Sequence, residues 1–185
     1  MATKLTTGKV RFSFVNIFEP QEPQGGGDPK YSVTLLIPKS DVTTFNKIKQ
    51  AMKEARDIFC KRNGSSSLPA EPNHTLHDGD GLRDSGDPYG PECKGHWVIT
   101  VSSKQKPVIV DAFKSDILDS TEVYSGCYGR ASINFYGYNR GGKKGISAGL
   151  LGVQKLCDGE PFGTRGSADD FDDDYEGAVN DIDFM

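Results

Sequence analysis

The sequence predicts a mainly β protein with one α-helix, arranged as a small barrel or a strongly curved antiparallel sheet. Two observations support this fold class. The 185 residues include 22 Gly and 10 Pro, and alternating apolar and polar residues recur in several short runs, whereas only one segment has a helical stripe. One helix among several strands joined by hairpins and long loops is typical of such barrels and sheets.

Six segments have the pattern of strands. Residues 9–18 place Val10, Phe12 and Phe14 on one face and Lys9, Arg11 and Ser13 on the other. Pro38 ends the second strand. A Gly-rich turn at 141–145 separates the last two strands, and residues 111–120 fit no single element. The predicted strands are 9–18, 31–37, 96–103, 107–111, 123–139 and 146–156.

The single predicted helix follows the second strand. Ser40 is the expected N-cap, and Asn63-Gly64 is the expected end. Apolar residues recur at steps of three and four, so this stripe should pack on the sheet while the opposite, charged side faces solvent. The stripe consists of Val42, Phe45, Ile48, Met52, Ala55 and Phe59.

The connection over residues 64–92 is unusually long for a compact domain, so we expect it to be functional or mobile. Asp78, Asp80 and Asp84 within it form an acidic cluster that could suggest Ca²⁺. The cluster lacks the full EF-hand pattern and its closing Glu, so turn chemistry is the favoured interpretation.

The four cysteines, Cys60, Cys93, Cys127 and Cys157, contain no CxxC pair, and the sequence shows no signal peptide or membrane-spanning apolar run. We therefore expect reduced thiols and a cytoplasmic protein without metal or cofactor. A zinc site is the alternative, but its ligands lie in a loop without a recognisable knuckle, so an ordinary loop is favoured. The candidate zinc ligands are His74, His77, Cys93 and His96.

The net charge of −4 conceals an asymmetry between the body of the chain and its C-terminal tail. Residues 168–185 contain eight acids and no Lys or Arg, and removing these eight from the 26 acids leaves 18 against 22 bases, a body of +4. We expect a domain over residues 1–160 and a flexible, disordered acidic tail over 161–185. The eight acids are Asp169, Asp170, Asp172, Asp173, Asp174, Glu176, Asp181 and Asp183.

The predicted strand over 123–139 divides by parity into two different faces. One is apolar and should face the core, with Val123, Cys127, Ala131, Ile133 and Phe135. The other suits single-stranded nucleic acid, because aromatic rings stack on unpaired bases and cations contact the phosphates between them. The alternative is that these tyrosines are buried under the helix or a loop, or form a dimer interface. The outward residues are Tyr124, Tyr128, Arg130, Asn134, Tyr136 and Tyr138, with Arg140 just beyond.

Signatures of catalysis are weak. The sequence contains neither a GxxxxGK[ST] nor an HExxH motif. Asp111, Asp116 and Asp119, with Lys106 or Lys114, could be arranged as in a metal-dependent nuclease, but their spacing is not diagnostic. We therefore expect a binding protein and not an enzyme, with an RNA-binding module and a nuclease as the rival interpretations.

Several segments resemble a family of bacteriophage single-stranded DNA-binding proteins. They are Gly8–Asn16, Pro29–Asp41, Val123–Ala131 with its Tyr-Ser-Gly-Cys-Tyr-Gly-Arg run, and Gly145–Leu150. The resemblance covers about residues 8–157. It implies an OB-fold barrel that coats single-stranded DNA during replication, recombination or repair. The resulting candidate DNA-binding residues are Arg11, Lys30, Tyr124, Tyr128, Arg130, Tyr136, Tyr138, Arg140, Lys143 and Lys144.

The acidic end is similar in kind to the tails of single-stranded DNA-binding proteins, which recruit replication or recombination proteins. It differs from the bacterial pattern in having Asp183 where a proline usually stands and Met185 after the terminal Phe. The tail could also occupy a basic groove until nucleic acid displaces it. The expected partners are single-stranded DNA and replication proteins, and a homodimer is left open. The tail residues expected to bind partners are Asp172, Asp173, Asp174, Asp181, Ile182, Asp183 and Phe184.

Overall fold

The structure is a computed structural model that describes residues 3–23, 26–83 and 85–162. Within these ranges one α-helix, α1 (Val42–Asn63), accompanies eight strands and a single 3₁₀ turn at Pro91–Cys93. The predicted class, mainly β with one helix, is confirmed. The strands are β1 (Lys4–Thr6), β2 (Val10–Gln21), β3 (Lys30–Pro38), β4 (Leu76–Asp78), β5 (His96–Ser103), β6 (Val108–Val110), β7 (Tyr128–Arg140) and β8 (Lys143–Cys157).

Five strands close into a barrel. β2 pairs with β3, β3 with β5, β8 with β7 and β7 with β2, all antiparallel. The ring closes where β5 meets β8 in parallel through one pair, Ser102 with Gly149. A five-stranded barrel of this kind is the architecture of an OB-fold, so the barrel prediction is confirmed. The short strands β1 and β6 extend the sheet beside β7 and β8.

The core fills the barrel with the inward residues of each strand. On β7 these are Ala131, Ile133 and Phe135, each at most 2% exposed, as the alternation predicts. Val123 and Cys127, just before the strand, are buried in the same cluster. The outward residues of these strands are left for solvent, for α1 or for a ligand.

Helix α1 packs against β7 and begins one residue later than predicted. Its N-cap is Asp41 and not Ser40, because the Asp41 carboxylate accepts a hydrogen bond from the Thr44 amide at 3.0 Å. The ring of Phe59 lies so close to Gly137 that any side chain there would clash with it. The described part of the chain has no helix with the length and apolar composition of a membrane span.

Phe14 departs from the face that it was predicted to share with Val10 and Phe12. Val10 and Phe12 are fully buried, but Phe14 is 65% exposed and has a left-handed φ of 47°. The register between β2 and β3 breaks after Ser13, so an irregularity of the bulge type turns the next side chain outward. The prediction that all three residues share one face is therefore wrong for Phe14.

The strand predicted over 123–139 begins five residues late, at Tyr128. A turn precedes it, in which the Cys127 amide donates to the Tyr124 carbonyl and Gly126 has a φ of 118°. The Gly126 conformation suits glycine and ends the extended backbone. Tyr124 therefore lies outside the strand.

The long connection over 64–92 is held on the barrel by a basic residue. Lys39 Nζ lies 2.6 Å from Asp78 and 2.7 Å from Asp80, and these hydrogen bonds lower the pKa of both carboxyl groups. The same ammonium is 4.8 Å from the centroid of the Trp97 ring, which stacks on Phe45 of α1. The two aspartates thus serve a structural turn, as the sequence favoured.

Candidate nucleic-acid interface

A groove of about 730 Å³ lies where the hairpin of β7 and β8 meets β5 and the 64–92 connection. Among the residues that the structure describes, four cationic side chains line it and no acidic side chain does. We call it the basic groove. Its cations are Lys30, Lys104, Arg140 and Lys143, and its remaining polar and aromatic lining includes His74, His77, Ser102, Ser147, Tyr136 and Tyr138.

Tyr136 and Tyr138 are placed in the basic groove by the alternation of β7. Both are on the outward side of the strand, about 7 Å apart in the backbone, with Gly137 between them against α1. Tyr136 is 45% exposed, and Tyr138 is half-buried. An exposed ring beside cations is the combination that binds unpaired bases and their phosphates.

One acidic residue, Asp28, partly neutralises the positive charge at the rim of the basic groove. Asp28 pairs with Lys104 at 3.0 Å, and this hydrogen bond, followed by the charge of Lys104, lowers the pKa of the Asp28 carboxyl. Both side chains are more than half exposed, so the pair is readily exchanged for contacts to another anion. Lys30 lies close enough to lower the same pKa slightly.

The histidines of the basic groove come from the 64–92 connection. Burial lowers the pKa of His74, and the nearby charges of Lys49 and His77 lower it further. His74 is therefore neutral at pH 7. His77, on β4, also lines the next pocket along the barrel, so the two pockets meet at this side chain.

That second pocket, which we call the Phe14 pocket, has a volume of about 650 Å³ on the outer face of β3 and β5. The exposed ring of Phe14 and the ring of Tyr89 both line it, and the guanidinium of Arg83 lies 4.8 Å from the Tyr89 ring centroid. Sequence analysis missed all three. Phe14 was expected on the face of Val10 and Phe12, and the two residues of the irregular loop gave no periodic signal.

Three of the predicted DNA-binding residues lie in a different place, where β2 pairs with the start of β7 and with the turn before it. The Arg11 guanidinium donates to the carbonyls of Gly126 and Glu160 at 3.0 and 2.7 Å, and lies against the rings of Tyr128 and Phe162. These residues form what we call the anchor cluster, which holds residues 158–162 on the barrel. Tyr124 joins it, with its hydroxyl 3.0 Å from both the Asp158 carboxylate and the Gly159 carbonyl.

The remaining candidates divide between two surfaces. Arg130 Nε donates to the Thr7 carbonyl at 2.8 Å, and its side chain faces the sheet beside β1. Lys144 is exposed in the β7–β8 hairpin next to Lys143. Of the ten predicted residues, the structure brings five into the basic groove: Lys30, Tyr136, Tyr138, Arg140 and Lys143.

The sites suggested by the rival interpretations have structural explanations. Asp111 accepts hydrogen bonds from the amides of Phe113 and Ser115, so it orders a turn. Among the described residues, no three His, Cys, Asp or Glu side chains are grouped so that they could hold a metal ion. Gly145–Gly149 matches the letters of a G-x-S-x-G motif, but Ser147 lies within strand β8 and not at the strand-to-helix turn that a nucleophile requires.

The fold and the basic groove together define a class, that of small β-barrel proteins with an aromatic, cation-lined binding surface. Within that class, the chain belongs to the family of the ssDNA-binding protein of Enterobacter phage Enc34, whose family model matches residues 3–183. A relative, protein p50 of Acyrthosiphon pisum secondary endosymbiont phage 1, is 35% identical over 181 residues, 92% of this chain and 93% of p50.

Solved structures agree with this family. The single-stranded DNA-binding protein from bacteriophage Enc34 in complex with ssDNA is 28% identical, with a TM-score of 0.75 over 87% of this chain and 90% of that one. The gp2.5 single-stranded DNA-binding protein of bacteriophage T7 shares the fold at 16% identity, with a TM-score of 0.59 over 94% of both chains. The sequence resemblance to phage single-stranded DNA-binding proteins is thus confirmed.

Proposed function

We propose that this protein binds single-stranded DNA in the basic groove, with little sequence preference and without catalysis. The observation that carries the proposal is the meeting of Tyr136 and Tyr138 with four cations in one groove, which no acidic side chain of the described part of the chain lines. The solved complex of the Enc34 protein with ssDNA supports it. The RNA-binding and nuclease alternatives have no comparable observation in their favour.

In this proposal the two tyrosines stack on bases, and the cations contact phosphates. Each stacked base contributes about 1–3 kcal/mol, which corresponds to a loss of about 5- to 150-fold in affinity when a ring is removed. Lys30, Lys104, Arg140 and Lys143 line the same groove as the rings, and Lys144 adds charge at the hairpin. Four phosphate contacts to a single strand give a salt slope of about −2.8 in log K against log salt.

The tail and the biological setting belong to the same proposal. The tail was predicted over 161–185, and all of it except residues 161 and 162 lies outside the described residues. We propose that this acidic tail recruits proteins of replication, recombination or repair in the host cytoplasm. Deleting residues 168–185 changes the formal net charge from −4 to +4, so it should tighten DNA binding and abolish recruitment.

Fluorescence anisotropy with a labelled ~30-nucleotide single strand, its duplex and a matched RNA, at two salt concentrations, tests the proposal. We expect salt-sensitive preference for the DNA single strand, and a loss of about tenfold or more in Tyr136→Ala. Tyr128→Ala, which changes the anchor cluster, is the matched control and should bind nearly as well as the unaltered chain.

Three results would contradict the proposal. They are equal affinity for single strand and duplex, affinity that is indifferent to Tyr136, and degradation of the labelled strand with Mg²⁺ or Mn²⁺. A clear preference for the matched RNA would support the RNA-binding alternative instead. Lys143→Gln gives an independent check, because removing one phosphate contact should make the salt slope shallower by about 0.7.

A further inference from the structure

Another concave surface lies on the outer side of the sheet formed by β1, β7, β8 and β6. It has a volume of about 350 Å³ and shares no lining residue with the basic groove or the Phe14 pocket. We call it the β6 pocket. Its lining includes the apolar residues Val108, Val110, Leu151 and Val153 and the cations Lys4, Lys114 and Arg130, and it includes no acidic side chain from residues 3–23, 26–83 or 85–162.

Two of the apolar side chains that line the β6 pocket are exposed to solvent. Val108 is 61% exposed and Leu151 is 39% exposed. The segment that follows β6 carries Phe113 and Leu118, whose side chains are 89% and 90% exposed. Exposed apolar side chains that line one pocket, as Val108 and Leu151 do, mark a surface that binds something.

The three cations of this pocket are available to an acidic ligand. Among the described residues, none of Lys4, Lys114 and Arg130 forms an ion pair with an acid. Arg130 is oriented by its hydrogen bond to the Thr7 carbonyl, which holds it along β1. The ligand that fits is therefore a short peptide with apolar side chains for the floor and carboxylates for the rim.

We propose that the β6 pocket binds the last five residues of this same chain, Asp181-Ile182-Asp183-Phe184-Met185. This segment has the required composition, because two carboxylates alternate with three apolar side chains. A volume of about 350 Å³ is at the lower end of the range for ligand pockets and accommodates one aromatic ring with its neighbours.

The point where the tail leaves the barrel favours this occupant. The Phe162 amide donates to the Ser125 carbonyl at 3.0 Å, and Arg130 follows Ser125 by only five residues. The linker to the docked segment is 163–180, and a random coil of that length would span about 23 Å on average and up to about 60 Å when extended. Tyr136 of the basic groove lies roughly 26 Å further along β7 from Tyr128. The β6 pocket is thus within easy reach, at a local concentration on the order of millimolar.

A second copy of the chain fits this surface less well. A twofold interface would place the same patch on both subunits face to face. Lys4, Lys114 and Arg130 would then meet their own equivalents, with no acidic lining residue to compensate for the repulsion. Docking of the chain's own end would instead keep residues 181–185 from other partners until they are displaced. This inference does not depend on the proposed DNA binding.

The test uses the full chain with the photo-crosslinking amino acid benzoylphenylalanine in place of Phe184. On irradiation we expect cross-links within one chain to residues of β6 and β8. Val108→Asp should lower their yield by about tenfold, as expected for loss of a central interface contact. Val42→Asp, at an equally exposed apolar position on α1, is the matched control and should leave the yield unchanged.

The cross-linked positions decide between the occupants. Covalent dimers without intrachain products would show that a second copy occupies the surface. Cross-links to the basic groove would place the tail there. Either result overturns the proposal, and so does the absence of any cross-linked product. Lys114→Glu, at an exposed position, serves if Val108→Asp does not fold, and combining it with Asp183→Lys should restore part of the yield. Single-strand affinity, measured on the same variants, reports on the proposed function separately.

Discussion

Phe12 and Phe14 stand two residues apart on β2, yet Phe12 is fully buried and Phe14 is 65% exposed. In a regular strand both would point to the same face. The left-handed φ of Phe14 and the register break after Ser13 turn its ring outward, where it lines a pocket with Tyr89. A costly backbone conformation that presents an aromatic side chain is often retained at binding sites.

Phe14→Gly separates the conformational role of this position from its ring. Glycine adopts a left-handed φ freely, so we expect the midpoint of thermal unfolding to be unchanged or raised. Binding of a single strand long enough to pass His77 into the Phe14 pocket should weaken by about 5- to 150-fold. A short oligonucleotide that fills only the basic groove should bind as before, and an equal loss for both lengths would contradict a separate role for the pocket.

Asp28→Asn should strengthen the binding of single-stranded DNA. The Asp28 carboxylate occupies Lys104 and lies near Lys30, so it competes with phosphate for both cations. Removing its charge should raise affinity by about two- to fivefold at low salt, with a smaller gain at high salt. Anisotropy at two salt concentrations measures the effect, and Asp57→Asn on α1 is the matched control. A weaker complex in Asp28→Asn would indicate that this pair orders the groove.

His74 should make DNA binding depend on pH. Its pKa is held below the ordinary 6.5, first by burial and then by Lys49 and His77, so the free protein carries it neutral at pH 7. Lowering the pH from 7 to 5 adds a proton and a positive charge to the basic groove, and affinity at constant ionic strength should rise. His74→Gln should reduce this rise, whereas His96→Gln, outside the groove, should not.

The same shift affects stability in the absence of DNA. The pKa of His74 is lower in the folded chain than in the unfolded chain, so protonation favours the unfolded chain. The contribution of His74 to the free energy of unfolding is therefore present above the unfolded pKa, and it is lost as the pH falls through the lower, folded pKa. His74→Gln should therefore flatten that part of the stability profile between pH 7 and 5. An unchanged profile would contradict the burial of this imidazole.

Arg11→Lys should destabilise the anchor cluster without affecting the basic groove. Lysine cannot donate to both the Gly126 and Glu160 carbonyls while also lying between the rings of Tyr128 and Phe162. We expect the free energy of unfolding to fall by about 1–2 kcal/mol, measured by urea denaturation. Loss of affinity for a short single strand, with stability intact, would instead favour a direct phosphate contact by Arg11.

Regular strands were predictable because the alternation of apolar and polar residues indicates which face of a strand is buried. His96–Ser103 was predicted to the residue, and the core face of β7 was predicted correctly from Ala131, Ile133 and Phe135. The short strands β1 and β4 were missed, since three residues carry too little pattern to stand out.

The candidate site was only partly predictable, because parity along a strand does not give position around a barrel. Tyr128 and Tyr138 share the outward parity, but ten residues separate them by roughly 33 Å along β7. Tyr138 reaches the basic groove, whereas Tyr128 lies in the anchor cluster. Phe14, Arg83 and Tyr89 depend on a register break and an irregular loop, which follow from tertiary packing and not from periodicity.

The way in which the barrel closes predicts that bound single-stranded DNA stabilises the protein itself. β5 and β8 meet through the single pair Ser102–Gly149, so this seam has fewer ladder hydrogen bonds than its neighbours. The basic groove lies across it, with Ser102 and Lys104 on one side and Ser147 on the other. Single-stranded DNA bound there would bridge β5 and β8 and stabilise this seam. Amide hydrogens of β8 around Gly149 would then exchange with solvent more slowly when DNA is bound. The DNA that the protein binds would thus stabilise the barrel against local opening.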